Sequence, residues 1–171
     1  IPALAIGWFS ADMVEANLRS MEVIAWATIG FGLLLWVADR WGGVEGELNE
    51  ITRTQALIVG LSQALALIPG TSRSGITITA GRFLGLSRQT AARFSFLLSI
   101  PIIAAAGSYG ALQVWQGETT TSVPDFVLAA AVSAVAGFGC IWAFLRLLDK
   151  VGMMPFVIYR LVLGVVLLAI I

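Results

Sequence analysis

The chain has 171 residues, of which 58% are apolar and 12% charged, with a mean hydropathy of +0.92; this balance belongs in a membrane rather than in water. Ten basic side chains cancel ten acidic ones and histidine is absent, which excludes a basic field for nucleic acid and a histidine-centred metal or catalytic site. The lone cysteine, Cys140, excludes an intrachain disulfide framework and a cysteine-rich metal cluster.

At the start, Ile1-Pro2-Ala3 has neither an initiator methionine nor the charged opening of a signal peptide, and the apolar run to Phe9 is too short to cross a bilayer. Residues 1–20 therefore read as the tail of a preceding helix and an outer loop, within a single membrane domain, residues 1–171, expected to be a fragment of something longer. An apolar layer of about 30 Å takes roughly 20 helical residues to cross. Residues 21–38, with only Glu22 charged at the edge, predict the first transmembrane helix. Residues 39–53 hold Glu45, Glu47 and Glu50 among Gly42, Gly43 and Gly46, and read as a cytoplasmic linker. Its glutamates are taken as solvated rather than as ligands of a divalent cation.

The stretch 54–86 is apolar at both ends but interrupted at Pro69-Gly70-Thr71-Ser72-Arg73-Ser74-Gly75. As helices its halves would reach only about 22 and 16 Å, so a re-entrant helix–turn–helix hairpin is expected there. Residues 94–115, 126–148 and 153–171 complete the transmembrane set. Backbone groups in lipid must pair internally, so these runs must be helices, and Gly30, Gly32, Gly107, Gly110, Gly137, Gly139 and Gly164 suit close helix contacts. The expected fold class is all-α, a polytopic membrane helical bundle with a re-entrant hairpin. That hairpin gathers Arg40, Arg53, Arg88, Arg93, Arg146 and Lys150 on one side and leaves Arg19 opposite. By the positive-inside rule the basic side is cytoplasmic, with the loop at 117–123 and the C-terminus outside.

The interruption is the chemically informative segment. Pro69 stops the first half-helix, Gly70 allows a sharp turn, and Thr71 or Ser72 can cap a new helix running inward from the break. Free N–H groups and short hydroxyls at such an end make a pocket for an anion. Arg73 adds a planar fork matched to phosphate oxygens. An intramembrane arginine costs about 2.5 to 3.5 kcal/mol even on the lenient insertion scale and is functional by default, which favours an anion site. The alternative is that Arg73 snorkels to an interface while Thr71, Ser72 and Ser74 merely satisfy the broken backbone. Gln63 either points its amide into the same cavity or makes a helix-to-helix hydrogen bond.

Other features receive structural readings. Gly60, Gly81 and Gly85, the latter two in GxxxG spacing, are taken as helix-approach glycines. Arg82, Arg88 and Arg93 are taken as interface anchors, Arg160 beside Tyr159 as a snorkelling arginine, and Trp8, Trp36, Trp41 and Trp115 as interface aromatics. Gly70 to Gly75 lacks the Gly-Lys-Ser/Thr ending of a nucleotide P-loop.

The run Gln63-Ala64-Leu65-Ala66-Leu67-Ile68-Pro69-Gly70-Thr71-Ser72-Arg73-Ser74-Gly75, then Gly85-Leu86-Ser87-Arg88 and Phe94-Ser95-Phe96-Leu97-Leu98-Ser99-Ile100-Pro101, closely resembles the bacterial undecaprenyl-diphosphate phosphatase family associated with bacitracin resistance. The likeness extends along the whole chain, and the Pro-Gly-x-Ser-Arg-Ser-Gly turn is its most specific part. It implies a multi-pass enzyme of the bacterial cytoplasmic membrane. Such an enzyme removes the terminal phosphate from a C55 polyprenyl diphosphate lipid and so regenerates the carrier for peptidoglycan synthesis.

The resemblance further implies two inverted repeats, of which this chain is the second plus the end of the first. The glutamate-rich motif and histidine of the catalytic centre would then lie upstream of Ile1, and the chain alone would be inactive. Carried over by position, Arg73 would bind the diphosphate and Ser72 and Thr71 would donate hydrogen bonds to it. Ser74 and Gly75, with Gly70, would shape the turn. The family is helped by a divalent cation, magnesium or calcium, for which this chain offers no clear cage. The expected partners are the prenyl diphosphate, membrane lipid and the missing repeat, with no nucleic acid. A transporter or flippase of an anionic lipid is the second reading, since broken helices also build carriers.

Overall fold

The computed structural model describes residues 20–43, 48–117 and 121–171. Trp8, Arg19, Glu45 and Glu47 lie outside them. Among the described residues six helices follow in order: α1 Met21–Trp41, α2 Arg53–Ser62, α3 Arg73–Phe83, α4 Arg88–Gln116, α5 Val123–Val151 and α6 Met154–Ile170, with short 3₁₀ turns at Leu48–Glu50 and Gln63–Leu67. The chain is an all-α polytopic membrane bundle. Helices α1, α4 and α5 are each long and apolar enough to cross a bilayer, while α6 has 17 residues.

Local chemistry sets the helix starts. Ser20, Thr52, Ser72, Ser87 and Ser122 each accept a hydrogen bond from a backbone N–H of the first turn they precede. At Thr52 the cap is reciprocal, because the Gln55 side chain returns to the Thr52 N–H at 2.9 Å. Helices α4 and α5 extend several residues beyond the apolar runs 94–115 and 126–148, since their polar ends carry Arg88, Gln89, Asp149 and Lys150 in helical conformation.

Helices α2 and α3 are the two halves of the interrupted segment. With 10 and 11 residues each reaches only about 15 to 17 Å, too short to cross alone. They pack on each other, and α3 also packs against α1 and α4. The apolar core gathers Leu35 of α1, Ile78 of α3, Ala91 and Ala92 of α4, Leu148 of α5 and Val157 of α6, together with Leu86 and Met153.

The tightest crossing is between α1 and α6. A side-chain carbon added at Gly32 would stand 3.2 Å from the Cβ of Arg160, and one added at Gly164 would collide with Ile29. Gly81 gives a similar approach of α3 to Ala91. Gly30, Gly60, Gly107, Gly137 and Gly139 face open space instead, so the expected close contacts at those positions do not form within the described residues. Along α5 only Leu148 is buried among the described residues; Val132, Val135 and Phe138 are exposed.

Arg82 is not an interface anchor. It is 3% exposed and closes the C-terminal end of α1. Its Nη1 donates to the carbonyls of Gly43 and Leu86 at 2.5 and 2.7 Å, and its Nη2 to those of Asp39 and Gly42 at 2.9 and 3.2 Å. Its Nε lies 3.4 Å from the Asp39 carboxylate. Unpaired carbonyls at a helix end carry partial negative charge, and a guanidinium fork satisfies several at once. Arg88 shares Asp39, with two parallel hydrogen bonds of 2.7 and 2.8 Å, but is 47% exposed.

The two arginines should therefore differ in stability effect. Arg82→Ala, which strips several buried acceptors, should cost on the order of 3 kcal/mol. Arg88→Ala should cost under about 1 kcal/mol. Thermal transitions of the two variants in one detergent check this, and equal losses would count against Arg82 as the closing group.

Candidate functional site

The break between α2 and α3 begins with the 3₁₀ turn Gln63–Leu67, and the Thr71 N–H then donates to the Ile68 carbonyl at 3.2 Å. Gly70 turns the chain at φ +90° and fits beneath α1, where any side chain would strike the Ile24 carbonyl. Ser72 follows at φ +67°, and it is the sole non-glycine residue with positive φ among those described. That conformation costs of order 1 to 3 kcal/mol and marks a strained position at the turn that opens α3. The Ser72 Oγ accepts from the Gly75 N–H at 3.3 Å, so its own proton is left to donate elsewhere.

Arg160 of α6 meets this turn. It was expected to snorkel, yet it is 8% exposed. Its Nε donates to the Thr28 carbonyl at 3.3 Å and its Nη2 to the Gly70 carbonyl at 2.6 Å. The Thr28 hydroxyl also reaches the Gly70 carbonyl, at 3.3 Å. Tied at two points, the guanidinium turns its Nη1 toward Gly75: a Cβ on that glycine would lie 2.9 Å from Nη1 and 3.2 Å from the Ser72 Oγ. Gly75 is what lets the arginine and the helix start come together.

These groups border one cavity of about 270 Å³. Ser72, Ser74, Gly75 and Arg160 supply its polar end, and Leu35, Ile78, Phe144, Met153, Phe156 and Leu163 line the rest. A fixed cation, two hydroxyls and a helix N-terminus beside an apolar channel can hold an anionic headgroup with an apolar tail attached. The donor set contains no carboxylate and does not fit a divalent cation.

The other residues expected at the site fall differently. Arg73 does not line this cavity; it is half-buried at the first position of α3, and its guanidinium forms no hydrogen bond among the described residues. Thr71 is fully buried and Gln63 is 4% exposed, and the Thr71 hydroxyl and the Gln63 Oε1 have no hydrogen-bond partner among the described residues. Neither borders the cavity; both are buried in the packing around the break. Gly70 contributes its carbonyl rather than a binding surface.

In the sequence Arg160 reads as a snorkelling arginine because its partners are backbone carbonyls 132 and 90 residues away, which carry no residue-type signature. The rule applied to Arg73, that an arginine at membrane depth is functional by default, would have found it.

Known proteins give the site its context. Residues 1–166 match the family model described as bacitracin resistance protein BacA. The chain is 54% identical over 164 residues to an undecaprenyl-diphosphatase of Hahella chejuensis, covering 96% of this chain and 61% of that protein. It is 53% identical over 167 residues to an undecaprenyl-diphosphatase of Teredinibacter turnerae, covering 98% of this chain and 63% of that one. It thus spans less than two thirds of the length of these relatives. With the match running through the turn at Ser72 and on past Arg160, the chain belongs to the bacitracin resistance protein BacA family.

Proposed function

We propose that the full-length protein hydrolyses undecaprenyl diphosphate to undecaprenyl phosphate and orthophosphate in the bacterial cytoplasmic membrane, recycling the lipid carrier of peptidoglycan synthesis. This chain supplies the phosphate-binding half of the site. The observation that carries the reading is the convergence of Arg160, Ser72, Ser74 and the start of α3 on the polar end of an otherwise apolar cavity.

In the reaction a water oxygen bonds to the terminal phosphorus, and the bridging P–O bond breaks, its electron pair leaving with the prenyl phosphate. Charge spreads over the oxygens of the transferring group. Donors already fixed in a dry site stabilise that charge without reorganising. Arg160 is so fixed by the Thr28 and Gly70 carbonyls. The Ser72 hydroxyl, the Ser74 hydroxyl and the first N–H groups of α3 add short-range donation, and Arg73, whose guanidinium has no hydrogen bond among the described residues, is a second cation at the same helix start. The apolar lining from Leu35 to Leu163 receives the first isoprene units. Activation of water is assigned to none of these residues.

Purified full-length protein in detergent, given undecaprenyl diphosphate, should release orthophosphate in proportion to enzyme and leave the monophosphate unconsumed. No release, combined with movement of the labelled lipid between leaflets of reconstituted vesicles, would replace the phosphatase with a carrier of an anionic lipid.

A further inference from the structure

Helix α3 carries the phosphate donors on its first turn, and this turn follows a bend rather than a preceding helix, so its orientation must be held from the side. A buried pair of hydroxyls lies where α3 meets α4. Thr77 is 1% and Ser95 2% exposed, and their side-chain oxygens are 2.7 Å apart. The Thr77 Oγ1 also stands 3.0 Å from the Arg73 carbonyl and 3.2 Å from that of Ser74.

The direction of this relay follows from what each group can do. Carbonyl oxygens only accept, so both contacts require the single Thr77 proton. The bond between the hydroxyls then needs the proton of Ser95. The opposite polarity would set a Thr77 lone pair against two carbonyls and strand the Ser95 proton, which has no other acceptor among the described residues.

We propose that Ser95 is a positioning residue for the phosphate site: through Thr77 it fixes the first turn of α3 in rotation against α4. The N–H groups at the helix start, with the Ser72 and Ser74 hydroxyls, are thereby aimed at the transferring phosphoryl group. Bonds in such a chain polarise one another, and the burial of both hydroxyls keeps water from substituting for either. Misplacement of donors by a fraction of an ångström acts on the transition state more than on ground-state binding. The proposal rests on the phosphatase reading.

Ser99 provides a matched comparison. It lies one turn further along α4, is 7% exposed, and donates to the Phe96 carbonyl at 2.5 Å within its own helix, with no link to α3. In full-length protein Ser95→Ala should lower kcat on undecaprenyl diphosphate about tenfold with KM little changed, while Ser99→Ala stays near wild type. Thr77→Val breaks the relay from its other end, so Ser95→Ala in that background should lower kcat no further. Equal kcat losses for Ser95→Ala and Ser99→Ala, an unchanged kcat in Ser95→Ala, or additive losses in the double variant would overturn the assignment. If wild type and Ser99→Ala both fail to release orthophosphate, the phosphatase reading itself is what fails, and the role of Ser95 falls with it.

Discussion

Replacing Arg160 by lysine is expected to reduce orthophosphate release by the full-length protein about a hundredfold or more, with the protein still folded. The guanidinium is occupied on one side by the Thr28 and Gly70 carbonyls and presents its remaining edge to the cavity. An ammonium is a point donor without that fork: it can sit against the carbonyls or reach the phosphate, but cannot span both. Arg160→Ala is the less informative variant. It would remove a charged donor from the Thr28 and Gly70 carbonyls and empty the space the side chain fills between α1 and the turn, and so mix loss of fold with loss of chemistry. Steady-state release alongside a thermal transition in the same detergent separates the two. Turnover within threefold of wild type for the lysine variant would remove Arg160 from the phosphate.

Arg73→Ala should show the opposite signature, a fall in turnover of about two to three orders of magnitude with the thermal transition almost unmoved. Its guanidinium bonds to nothing among the described residues and is only half-buried, so its removal breaks nothing internal. Arg73→Lys should recover little, because two parallel bonds to phosphate oxygens are lost even though the charge stays. A large loss of thermal stability would instead make Arg73 a structural group, and unchanged turnover would take it out of the reaction.

How much of this was legible beforehand depended on the range of the interactions. Helix starts are set within four residues by Ser20, Thr52, Ser87 and Ser122, but a reading by apolar runs starts α4 and α5 at 94 and 126, past their polar first turns, while Pro69-Gly70 announces the break. Ser72, Ser74 and Gly75, which border the cavity, are close in sequence to that break. Arg82 and Arg160 were misjudged because both answer to carbonyl oxygens brought near by packing. An exposed anchor and a buried clamp look alike when only residue type and depth along a helix are known. Thr71 and Gln63 are near the break in sequence but buried and absent from the cavity lining, a difference of packing that residue type and spacing do not carry.

The backbone at Ser72 has an evolutionary corollary. Glycine there would relax the φ of +67° and give a hardier fold, yet it would delete one of the donors facing the cavity. On the proposed phosphate-binding role, backbone ease and hydrogen-bond donation therefore pull this one position in opposite directions, and a lineage selected only to survive heat or detergent should drift toward glycine there.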